Sequence, residues 1–122
     1  MPKKILIIED DKSLSKMFSK ALEAKGYEVI LASDGKGGLN KAKTNLPDLI
    51  VLDIMLPDSD GIEILKALKA DSNTSDIPVV ISTNLGDQTT VSRILEAGGK
   101  EYLVKSDWGI DEIVEKIEAS LG

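Results

Sequence analysis

The sequence contains no cysteine and no histidine. The first absence excludes disulfides and thiolate chemistry. The second removes the commonest general base, the usual zinc ligand and any phosphohistidine carried by this chain. No apolar run approaches the roughly 20 residues needed to span a bilayer, and the N-terminal MPKK lacks the h-region and cleavage site of a signal peptide. Positive charge is also in short supply. Against 21 Asp and Glu stand 15 Lys and Arg, for a net charge of −6, which argues against a binder of phosphate backbones. There is no internal repeat, low-complexity segment or linker. These absences leave one domain, residues 1–122, expected to be cytoplasmic, with no nucleic acid bound through it and no membrane. Its chemistry must come from carboxylates, lysines, hydroxyls and a bound ion.

What is present is a regular alternation. Five apolar runs rich in β-branched residues recur, KILII (4–8), YEVILA (27–32), DLIVLD (48–53), IPVVIST (77–83) and EYLVK (101–105). Their near-continuous hydrophobicity predicts strands covered on both faces, as in parallel sheets. Between them lie helical stripes: Leu14, Met17, Phe18, Ala21 and Leu22; Ile64, Leu65 and Leu68; Val91, Ile94 and Leu95; Ile110, Ile113, Val114, Ile117 and Leu121. A helix around Lys36–Thr44 carries the weakest signal, because Gly37 and Gly38 lower its propensity. Gly26 and Gly98-Gly99 fall where helices should end, and Pro47 and Pro78 at strand entries. The order βαβαβαβαβα predicts an α/β fold, a parallel sheet with helices on both faces. Ligands of such sheets sit beyond the carboxyl ends of the strands, and the second strand, ending in ASDG, suits an edge.

The residues at those ends are Glu9, Asp10 and Asp11 after the first strand, Asp53 closing the third, Thr83 the fourth and Lys105 the fifth. Alone, an acidic triplet before a helix is ordinary capping. Asp53 should face the same crevice as Asp10, and two carboxylates about 4 Å apart repel by roughly 4 kcal/mol at an effective dielectric near 20. A cation or a proton offsets such a cost, and a few oxygen ligands with room for water suit Mg2+. Singly, Lys105 would be a snorkelling lysine and Thr83 a strand-terminal cap. Together with a carboxylate nucleophile and a metal they are what a phosphoryl group needs. Asp11 is assigned to the start of the first helix instead.

Over essentially its whole length, from ILIIEDD through DLIVLDIMLPDSDG and PVVISTN to EYLVK, the chain resembles a response-regulator receiver domain of two-component signalling, of the chemotaxis-regulator type. The resemblance implies a doubly wound, flavodoxin-like (βα)5 fold with strand order 2-1-3-4-5. It implies that Asp53 is the phosphoacceptor, that Asp10 ligates Mg2+ directly and Glu9 mainly through water, and that the Met55 backbone carbonyl is a further ligand. Thr83 and Lys105 would hold the phosphoryl oxygens. Tyr102 would be the aromatic switch that moves as Thr83 closes on the phosphate, and Pro57 and Gly61 would shape the loop after the third strand. The implied partners are a sensor histidine kinase or histidine phosphotransfer protein and, since no output domain follows Gly122, a separate downstream effector. Such a domain is no enzyme beyond its own phosphorylation and dephosphorylation.

Two departures bear on this expectation. Ser106 follows Lys105 where the family usually has a cis proline. A non-proline cis bond costs roughly 2.5–4 kcal/mol against about 0.5–1 for X-Pro, so the Lys105–Ser106 bond is predicted to be trans. Asn84 stands where a small residue is usual, and with Met55 would modify the lifetime of the aspartyl phosphate. Asp58 and Asp60 read as loop and cap residues, with Ser59 or Asp60 capping the third helix. Trp108 reads as a packing residue. Among rivals, a haloacid-dehalogenase-type phosphatase would want a second Asp where Met55 stands, and a flavodoxin would want a hydroxyl- and glycine-rich loop where EDDKS stands. A degenerate receiver that binds partners without phosphorylation is the remaining alternative.

Overall fold

The computed structural model describes residues 2–83, 88–99, 101–105 and 109–121. Strands and helices alternate: β1 (Lys4–Ile8), α1 (Lys12–Ala24), β2 (Glu28–Ala32), α2 (Gly35–Asn45), β3 (Leu49–Asp53), α3 (Gly61–Ala70), β4 (Val79–Thr83), α4 (Gln88–Glu96), β5 (Glu101–Val104) and α5 (Ile110–Ser120). All strand pairs are parallel, and the order across the sheet is β2-β1-β3-β4-β5. The expected α/β architecture and strand order are therefore both present.

Strict period-2 alternation sends successive side chains to opposite faces. Ile5, Ile7, Leu49, Val51, Val80 and Leu103 pack on one face against Phe18 and Leu22 of α1 and Ile113, Val114 and Ile117 of α5. Leu6, Ile8, Ile50, Leu52, Val79 and Ile81 pack on the other, against Ala42 of α2, Leu65 and Leu68 of α3 and Ile94 of α4. Two expected core positions are not core. Met17 and Leu95 are 53% and 56% exposed, and Ser15 takes the buried place on α1. The apolar stripe on each of these short helices is one residue narrower than the spacing suggests.

The glycine-rich α2 forms despite its propensity because its ends are held. Asp34 accepts from the Gly37 N–H at 2.7 Å. Asp58, from the loop after β3, accepts from the Gly35 and Lys36 N–H groups at 2.8 and 3.1 Å. Gly38 is required for packing: a Cβ there would lie 2.5 Å from Ile8 Cδ1. The helix closes on Leu46, which has a left-handed φ of 46°, a conformation the sequence did not announce. Gly26 and Gly98, at φ of 94° and 97°, end α1 and α4 as expected.

Candidate functional site

The carboxyl ends of β1, β3 and β5 converge on a cleft of about 420 Å³ lined by Glu9, Asp10, Asp11, Asp53, Met55, Leu56, Pro57 and Lys105. Carboxylate oxygens of Glu9, Asp10 and Asp53 lie within 4.8 Å of one another. Glu9 and Asp53 are buried and Asp10 is exposed, so two carboxyl groups stand in the wall and one faces water.

Lys105 Nζ lies 3.2 Å from Asp53 Oδ2 and hydrogen-bonds Glu9 Oε1. Asp53 Oδ1 accepts from the Met55 N–H at 3.2 Å, and Glu9 Oε2 accepts from the Asp11 N–H at 3.2 Å. Burial pushes the Glu9 carboxyl up to about 7, and the neighbouring Asp53 adds to the rise. The bond to Lys105 pulls the other way without prevailing. Burial also works to lower Lys105, but the hydrogen bond to Glu9 and the charges of Asp53 and Glu9 outweigh it and raise its pKa. One cation thus serves two buried acids, and Glu9 holds a proton more tightly than a free carboxyl does. A donor set of hard oxygens with an unmet demand for positive charge fits a small divalent cation.

Asp11 is not part of this set. Its Oδ1 accepts from the Leu14 N–H at 3.1 Å and caps α1, as expected. Asp60 likewise caps α3 through the Ile62 N–H at 2.9 Å. Its other oxygen meets Arg93 of α4 at 2.7 Å. Asp58, expected in the loop, stays there and serves the N-terminus of α2. The loop between β3 and α3 is closed by a Met55–Asp60 bridge and by the Gly61 N–H, which donates to the Ile54 carbonyl at 2.6 Å. It leaves the Met55 side chain 64% exposed at the mouth of the cleft.

Thr83 is fully buried at the end of β4. Alternation places it on the α2/α3/α4 face with Ile81, away from Asp53. Tyr102 pairs in register with Ile81, belongs to that same face, and is half exposed. Thr83 and Tyr102 are therefore neighbours on one side of the sheet, and Glu9, Asp53 and Lys105 lie on the other. Ser106, with its peptide bond to Lys105, Asn84 and Trp108 lie outside the described residues. Sequence reasoning passed over Ser82, which alternation puts on the face of Asp53. The signal was present, a hydroxyl one residue inside the end of a fully buried strand.

Comparison with known proteins agrees with this geometry. Residues 5–118 match the response regulator receiver domain family. The chain is 38% identical over 119 residues to the phosphate regulon transcriptional regulatory protein PhoB of Escherichia coli, covering 98% of this chain and 52% of that one. It is 36% identical over 122 residues to the polar-differentiation response regulator DivK of Brucella anthropi, covering 100% of this chain and 98% of DivK. It spans about half the length of the curated transcriptional regulators it matches. The solved chemotaxis protein CheY4 of Vibrio cholerae superposes with a TM-score of 0.91 at 27% identity, over 98% of this chain and 99% of that one. Sheet order, acidic cleft and sequence similarity agree, and the chain belongs to the family of response regulator receiver domains of two-component systems.

Proposed function

We propose that the whole of residues 1–122 is one receiver domain that accepts a phosphoryl group on Asp53, with a sensor histidine kinase or histidine phosphotransfer protein as donor. The observation that carries this reading is the pairing of a buried Asp53 at a strand end with Lys105 at 3.2 Å, beside Glu9 and Asp10. One oxygen of Asp53 donates its lone pair to phosphorus as the P–N bond of the donor's phosphohistidine breaks, and the released electron pair returns to the imidazole nitrogen. Lys105 leaves the carboxylates and meets the phosphoryl oxygens. Glu9, Asp10, Asp53 and the Met55 carbonyl would hold Mg2+. When bound, that ion neutralises the acids and offers the phosphoryl oxygens a Lewis acid.

The signal then passes to the other side of the sheet. Thr83 reaches over the strand end to a phosphoryl oxygen, and the space it leaves admits the Tyr102 ring, changing the surface of α4, β5 and α5 that a downstream effector reads. Moving such an equilibrium from 1:99 to 99:1 takes roughly 5.5 kcal/mol of differential stabilisation. A new dianion meeting Lys105, Thr83 and a divalent ion is of that order.

The test is intact mass before and after exposure to acetyl phosphate with Mg2+. One phosphoryl group should be gained by the wild type and none by Asp53→Asn. A wild type that gains none from any donor would overturn the proposal and favour a phosphorylation-independent binding module.

A further inference from the structure

Ser82 stands one residue from the end of β4 and is 1% exposed, and among the described residues its Oγ is the buried side-chain polar atom with no hydrogen-bond partner. A buried hydroxyl left unpaired costs about a factor of ten in the folding equilibrium, and alanine would fill the position without that cost. Its neighbours show what the hydroxyl faces. Register pairs Ser82 with Asp53 on one side and Leu103 on the other. The pair Ile8 and Leu52 lies one step before Glu9 and Asp53. Val80, two residues earlier, packs with Val51 and Leu103 on the α1/α5 face, so the Ser82 side chain stands on that face too. Glu9, Asp53 and Ser82 thus form a polar row across three adjacent strands, directly above an apolar layer.

At rest both oxygens of Asp53 are served by others, Oδ1 by the Met55 N–H and Oδ2 by Lys105. We propose that Ser82 is a positioning residue held in reserve, its hydroxyl donating to the Asp53 carboxyl group only when Lys105 turns to an arriving phosphoryl group. The inference rests on the reading of Asp53 as phosphoacceptor. The hydroxyl keeps its proton and makes no bond to phosphorus. It does two things instead. It fixes the orientation of the carboxyl group after its ammonium partner has gone. It also burdens the resting state with an unmet hydrogen bond that the loaded state satisfies, which tilts the equilibrium toward loading.

The experiment compares wild type with Ser82→Ala, Ser82→Thr and Ser82→Val. Each is melted at rest in Mg2+-free buffer, then titrated with beryllofluoride, a phosphoryl stand-in, at saturating Mg2+. Ser82→Ala should melt a few degrees above wild type at rest and bind beryllofluoride about three- to tenfold more weakly. Ser82→Thr should keep the affinity and Ser82→Val lose it, a pair of matched shape in which a methyl replaces the hydroxyl and which decides the matter if the alanine variant fails to fold. Unchanged affinity in Ser82→Ala overturns the inference, and so does a lower resting melting temperature, which would mean the hydroxyl is already paired. A wild type that binds no beryllofluoride sinks the phosphoacceptor reading itself, a different failure.

Discussion

The two faces of the sheet are built from the same strands and do different work. The α2/α3/α4 face is apolar from Leu6 and Ile50 up to Ile81, with Thr83 at its rim. The α1/α5 face begins as an equal apolar layer but ends in Glu9, Asp53 and Ser82, with Lys105 paired to the first two. Alternation lets one residue add to the hydrophobic core while its neighbour joins the charged cleft. Stability and chemistry are therefore adjacent in sequence and separated in space.

That separation can be broken from either side. Leu68→Ala, on the apolar face and fully buried, should cost about 2–5 kcal/mol in urea unfolding, while the folded fraction keeps its Mg2+ affinity. Equal losses of both would mean the faces are coupled more tightly than their contacts indicate. Next is the proton on Glu9. Its folded pKa of about 7 lies above the ordinary 4.5, so the folded state binds that proton more tightly. The stability it contributes is full below pH 4.5 and is lost as pH rises through 7. Relative to Glu9→Gln, the Mg2+-free wild type should lose on the order of 3 kcal/mol across that window. Parallel pH profiles for the two proteins would refute this.

Lys105→Ala removes the cation shared by Glu9 and Asp53. Phosphoryl uptake from acetyl phosphate, followed by mass, should slow about a hundredfold, with Mg2+ binding retained because the competing ammonium is gone. A smaller effect is expected at Asp58, whose carboxylate the Gly35 N–H holds below its ordinary range. Its contribution is present above pH 3.8 and is lost as pH falls below that value. Asp58→Ala should speed amide exchange at Gly35 and Lys36 and leave α3 untouched. Arg93→Ala comes last. Its ion pair with Asp60 is half exposed, and the denaturation midpoint should scarcely move.

Much of this was legible in the sequence because strands buried on both faces write themselves as apolar runs. KILII is β1 to the residue, and the other four runs overshoot their strands by one or two residues at an end. Asp11 and Asp60 were readable as caps because the groups they satisfy are two or three residues away. Asp58 was read only as a loop residue, and its hold on α2 went unseen because its partners, Gly35 and Lys36, are more than 20 residues distant. The stripes on α1 and α4 were read one residue too wide at Met17 and Leu95, since helical spacing fixes a direction but not the depth of what lies there. The gathering of Glu9, Asp10, Asp53 and Lys105 followed from the strand-end rule. Ser82 escaped because a hydroxyl in a buried strand carries no charge to draw notice.

The fold-back at Gly61 has a consequence for how such a chain can vary in length. A Cβ at that position would lie 2.5 Å from Ile54 Cα and 2.9 Å from the Ile54 carbonyl oxygen. The segment from 54 to 61 is thus a ring of backbone shut at its base by Gly61–Ile54 and Met55–Asp60, so an added residue would have to be taken up at its tip. The tip carries Asp58, whose bonds to the Gly35 and Lys36 N–H groups such an insertion would displace. The connection that brings Met55, Leu56 and Pro57 to the acidic cleft is thus tied at its base, and a change in its length falls on its tip.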